Sequence, residues 1–85
     1  MTDEDPILTE IAAELALKRE QWRGVRVQRL QLKKELEGLG LDKTGIRKHA
    51  EYKRLEKEQS HLSAVLKHIE KRMNRRRARL NEQNA

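Results

Sequence analysis

The chain has 85 residues, of which 40% are charged and 35% hydrophobic, and Trp22 and Tyr52 are its only aromatics. A chain of this length makes one domain, 1–85, and its apolar content is too small for an ordinary globular core. The lack of Cys excludes disulfide scaffolds, thiolate metal sites and Cys nucleophiles, and one Pro with four Gly excludes a turn-rich β fold.

The start, Met1-Thr2-Asp3-Glu4-Asp5, is acidic, the opposite of a signal peptide. The longest apolar stretches, Ile11-Ala12-Ala13 and Leu15-Ala16-Leu17, are too short to span a bilayer. An intracellular, cytoplasmic protein without a membrane partner is expected. The net charge of +6 is unevenly placed: residues 1–45 carry −1 and residues 46–85 carry +7. A basic half points to a polyanionic partner.

Asp5-Pro6 opens the first helix, because Asp caps helix starts and Pro at the first position forgoes an N–H that has no partner there. Apolar residues then follow a 3-4 spacing through Leu8, Ile11, Leu15, Trp22, Val25, Leu32, Leu36 and Leu39, with Lys18 and Arg29 in the two remaining slots. This is a coiled-coil stripe, and it predicts helix 1 over about 6–39.

Gly38-Leu39-Gly40-Leu41-Asp42-Lys43-Thr44-Gly45 interrupts the pattern. A left-handed Gly40 lets Leu41 fold back onto Leu36, and Thr44 or Asp42 caps the next helix, so a loop is expected over 40–44. Helix 2, about 45–80, repeats the spacing in Tyr52, Leu55, Gln59, Leu62, Leu66, Ile69, Met73 and Leu80, with Arg76 in a seam slot. Pairs four apart, Glu14/Lys18, Lys33/Glu37, Arg47/Glu51 and Arg54/Glu58, support solvated faces.

A short connection makes the helices antiparallel. With the fold near residue 42, residues whose numbers sum to about 84 face each other. Leu32 then meets Tyr52, Trp22 meets Leu62, Leu15 meets Ile69, Ile11 meets Met73, and Val25 and Arg29 lie beside Leu55 and Gln59. The expected fold is all-α, an antiparallel two-helix coiled-coil hairpin. A lone hairpin buries one narrow stripe per helix, which leaves Ile7, Leu17, Val27, Leu30, Ile46 and Val65 off the seam. Completion to a helical bundle by self-association or by a partner is expected, with Leu17, Val27, Leu30 and Val65 as the partner-binding surface. Gly24 lies off the seam, where it could admit a close-packed helix.

The strongest local signal is Lys71-Arg72-Met73-Asn74-Arg75-Arg76-Arg77-Ala78-Arg79, in which six of nine residues are basic. Arg72, Arg75, Arg76 and Arg79 fall within about a third of the helix circumference. Lys67, Lys71 and Arg77 complete the candidate nucleic-acid-binding set. The planar arginine fork suits phosphate, and no aromatic interleaves the patch, so such binding is directed at the backbone rather than at bases. Against this stands neutralisation: Asp3, Glu4, Asp5 and Glu10 are expected to arrive beside residues 74–81.

Other chemistry is not indicated. His61 and His68 are two helical turns apart, about 10 Å, too far to share one metal, and His49 stands alone. Ser60 and Ser63 flank His61 in sequence but do not face it on a helix. No catalytic residue, metal or cofactor is expected. The expected activity is non-enzymatic binding of a nucleic-acid phosphate backbone. The alternative is a coiled-coil module (adaptor, scaffold or inhibitor) that docks on a protein.

Overall fold

A computed structural model describes residues 5–83. Helix α1 (Pro6–Gly38) and helix α3 (Ala50–Gln83) pack side by side, and a short helix α2 (Lys43–Lys48) joins them. The described residues hold no strand. The rod measures 61 × 20 × 15 Å.

α1 starts as its sequence dictates. The Asp5 carboxylate accepts from the Leu8 N–H at 3.2 Å, and Pro6 takes the first helical position. It ends in a Schellman cap. The Gly40 N–H donates to Glu37 O, and the Leu41 N–H donates to Leu36 O at 3.1 Å. Gly40 has φ +90°, a conformation that glycine adopts without steric cost. Leu41 thereby packs on Leu36. Leu39 becomes the C-cap rather than a seam residue and is 77% exposed. Asp42, not Thr44, caps α2, accepting from the Gly45 N–H at 2.8 Å.

The core is a single antiparallel seam in three clusters. Ile11 and Leu15 meet Ile69 and Met73, with Leu8, Val65 and Leu66 at the edge. Val25 meets Leu55 and Leu62, flanked by Trp22 and Leu32. Leu36, Ile46 and Tyr52 close the tip against Leu32 and Leu41. The expected facing groups are therefore brought together along the whole seam.

Polar side chains pin this register. The indole Nε1 of Trp22 donates to Ser63 Oγ at 2.9 Å, and the Ser63 hydroxyl donates to Gln59 O at 3.0 Å. Arg29 donates from Nε to Gln59 Oε1 at 2.7 Å and from Nη1 to Tyr52 Oη at 3.0 Å. Its guanidinium also lies 5.9 Å from the Tyr52 ring centroid. The charged intruder in the apolar stripe thus has partners on the facing helix.

Four expectations about the second half of the chain are corrected. Helix 2 is not continuous from residue 45: at His49 the backbone is extended (ψ 126°), which separates α2 from α3. That break turns Ile46 inward onto Leu36 and Tyr52, so Ile46 is core rather than surface. It also removes the Arg47/Glu51 pair, since the two no longer lie on one helix. Glu51 instead pairs with Arg54, whose guanidinium holds its carboxyl below the ordinary range, and Arg54 reaches Glu58 as expected. Val65 is half-buried against the first cluster, so it belongs to the core margin and not to a free partner surface.

This packing makes two outcomes measurable. Cysteines placed at Leu15 and Ile69 should close a disulfide within one chain under mild oxidation, read as faster migration on non-reducing gels; crosslinks only between chains would contradict the hairpin. At the α2–α3 break, the His49 carbonyl accepts from Lys53 N–H, the place of an N-cap, while its side chain leaves Nδ1 buried and unpartnered. His49→Ser supplies a capping oxygen and should raise stability by about 0.5–1 kcal/mol, measured by urea denaturation.

Candidate functional site

The basic end of α3 lies beside the start of α1, and the antiparallel seam decides which arginines are occupied. Arg76 points into the seam as a charged neighbour of Met73. It forms a fork with Asp5: Nε donates to Oδ2 at 2.7 Å and Nη2 to Oδ1 at 3.0 Å. Both side chains are largely sheltered, Asp5 at 12% and Arg76 at 24% exposure. The hydrogen bond from Arg76 holds the Asp5 carboxyl below its ordinary value, helped by the Leu8 N–H, and the same contact raises the Arg76 guanidinium. Asp5 therefore caps α1 and ties it to α3 with one carboxylate.

Arg72 is the second occupied arginine. Its Nη1 donates to Glu14 Oε2 at 3.2 Å, and Arg19 approaches Glu70 at 3.6 Å on the opposite flank. Glu14 thus bridges the helices instead of pairing with Lys18, which donates to Gln21 at 3.4 Å. Glu10 forms no ion pair among the described residues, and Asp3 and Glu4 lie outside them.

Five of the seven expected phosphate ligands, Lys67, Lys71, Arg75, Arg77 and Arg79, are exposed and have no acidic partner within ion-pair distance among the described residues. They do not form one surface. Arg72, Arg75, Arg76 and Arg79 line one open concavity of about 290 Å³ together with Ile7 and Ile11. Arg77 faces the other side, in a groove with Arg19 and Glu70. The arginine stripe is therefore brought together as expected, with Arg77 apart from it and Arg76 turned inward.

A second basic concavity, at the hairpin tip, is not apparent from the sequence. Lys33 of α1 and Lys43 and Arg47 of α2 surround Ile46 and Tyr52. Lys33 is well separated in sequence from the other two, and only the break at His49 folds α2 back to gather them. The single advance signal is the basic pair Arg47-Lys48 beside the loop.

Trp22 and Tyr52 serve the seam rather than a partner, although Arg26 stacks 5.6 Å over the exposed side of the indole. Among the described residues, no three His, Cys, Asp or Glu side chains gather to hold a metal ion, and no helix is long and apolar enough to cross a membrane. Comparison of the chain with protein-family models, curated proteins and solved structures returned no match.

The Asp5–Arg76 tie has a defined pH signature. A carboxylate whose folded pKa lies below its ordinary value of 3.8 contributes stability that is complete above that value. The contribution disappears as the pH falls through the lowered native value. Asp5→Asn keeps a capping oxygen but removes the charge. The variant should melt below the wild type at neutral pH, and the gap should close in strong acid, as followed by thermal melts monitored by circular dichroism.

Proposed function

We propose that the protein is a non-enzymatic binder of nucleic-acid phosphate backbone that uses the arginine-rich end of α3. One observation supports this reading above the others: among the described residues, acids engage only Arg72 and Arg76 of this basic stretch. Arg75 and Arg79 at the concavity, with Lys71 and Lys67 on the outer face one and two turns back, carry positive charge toward solvent. A helical row of this kind follows a phosphate chain and draws its affinity from counterion release. With no aromatic among these residues, contact is with phosphate and not with bases, so sequence selectivity is low. The paired arginines position the row by fixing the end of α3 against α1.

The expected outcome separates the two kinds of arginine. Four phosphate contacts give a slope of log affinity against log salt of about −3.6 on a generic duplex. Arg75→Ala or Arg79→Ala should each flatten that slope by about one, with helicity unchanged. Arg76→Ala should instead lower thermal stability. Titration by fluorescence anisotropy at several salt concentrations reads the slopes, and thermal melts read the stability. Absence of duplex binding at low salt, or full affinity in a variant lacking Lys67, Lys71, Arg75 and Arg79, would refute the proposal. Protein contact is the second reading, favoured by the apolar residues that α1 leaves exposed.

A further inference from the structure

The outer face of α1 carries an unused apolar row. Leu17 is 58% exposed, Val27 54% and Leu30 41%, and none of them reaches the hairpin core. A second 3-4 repeat runs through this face: Glu10, Leu17, Glu20, Gly24, Val27 and Lys34, with Gly24 near its centre. A Cβ built at Gly24 would meet nothing within 4 Å. Glycine weakens a helix interior, and no contact among the described residues requires one at this position.

We propose that this face binds a second copy of the same chain, α1 against α1, antiparallel about a two-fold axis near residue 22. The charge pattern of the row selects both the occupant and its direction. A parallel, in-register pair would stack Glu10 on Glu10, Glu20 on Glu20 and Lys34 on Lys34. In the antiparallel pair, residues whose numbers sum to about 44 meet across the axis, as coiled-coil a and d layers do. Leu17 then packs on Val27 of the second copy, and Glu10 meets its Lys34. Glu20 crosses over Gly24 of the second copy, where the missing side chain leaves room, and its carboxylate comes beside Arg23. Leu30 flanks the seam against Ala16 of the second copy.

Because the contact is isologous, every pairing occurs twice. The three exposed apolar residues of this face, Leu17, Val27 and Leu30, the glycine and the charges of the row are satisfied by one register. The assembly leaves α3 uncovered, so its two basic ends point to opposite ends of the dimer. The proposal does not depend on what those ends bind.

The chain lacks cysteine, which makes disulfide trapping diagnostic. Leu17→Cys and Val27→Cys chains, mixed in equal amounts and mildly oxidised, should give the mixed disulfide well beyond the share that random pairing of the two chains produces. Sedimentation equilibrium of the wild type should show a monomer–dimer equilibrium. Val27→Asp, at an exposed position, should weaken dimerisation by about tenfold or more with helicity unchanged. Lys34→Glu should weaken it as well, and Glu10→Lys in the same chain should restore it. A monomer at every concentration, a predominance of self-disulfides, or an unaltered dimer in Val27→Asp would overturn the proposal.

Discussion

A seam of leucine and isoleucine side chains is permissive about register, because one apolar layer packs nearly as well on its neighbour as on its partner. In this hairpin the register depends on three directional contacts set into the stripe by two residues, Trp22 to Ser63 and Arg29 to Gln59 and Tyr52. A slip of one heptad would set Glu56 or Glu70 in place of Ser63 opposite the Trp22 indole and would leave Arg29 only one of Gln59 and Tyr52, and each native hydrogen bond lost costs about 0.5–1.5 kcal/mol. The apolar burial supplies the drive to associate, and these polar contacts select one alignment. Everything at the ends of the rod depends on that alignment, including which acid of α1 reaches which arginine of α3.

At the basic end, the alignment divides chemically identical side chains into two groups. Arg76 occupies a seam slot and is largely sheltered, and Asp5 forks its guanidinium there. Arg75 is one residue earlier and about 100° away around the helix, so it faces solvent. Residues adjacent in sequence thus take different tasks, one holding the helices together and the other presenting charge. This division gives the phosphate-binding proposal its physical basis, because an arginine already forked by a carboxylate has fewer donors left for phosphate.

At the opposite end, a capped turn and a second break do the corresponding work. Leu41 folds back through the Schellman cap, and the extended backbone at His49 turns α2 onto the tip. The result buries Ile46 and closes the third core cluster, where a simple loop would have left Leu36 and Tyr52 open to water. The same fold gathers Lys33, Lys43 and Arg47, so the rod is basic at both ends. The outer face of α1, by contrast, keeps Leu17, Val27 and Leu30 in water, an arrangement that a small core can scarcely offset and that pairing of two chains would relieve.

The sequence by itself determined the two long helices, their antiparallel pairing, the Asp5 cap, the Leu41 fold-back and the grouping of Arg72, Arg75, Arg76 and Arg79. These are legible because helix periodicity, capping chemistry and loop length act over a few residues and leave direct marks in spacing. The tertiary structure alone decided the break at His49, the burial of Ile46 and Val65, the exposure of Leu39, the separation of Arg77 and the bridging of Glu14 to Arg72 rather than to Lys18. Each of these turns on which side of a helix meets a neighbour, and a continuous 3-4 repeat reads the same through residue 49 whether the chain bends there or not. Charge partners were the least legible feature for the same reason: a side chain pairs with whatever the register brings within reach, and the register was set by a tryptophan and an arginine elsewhere on the seam.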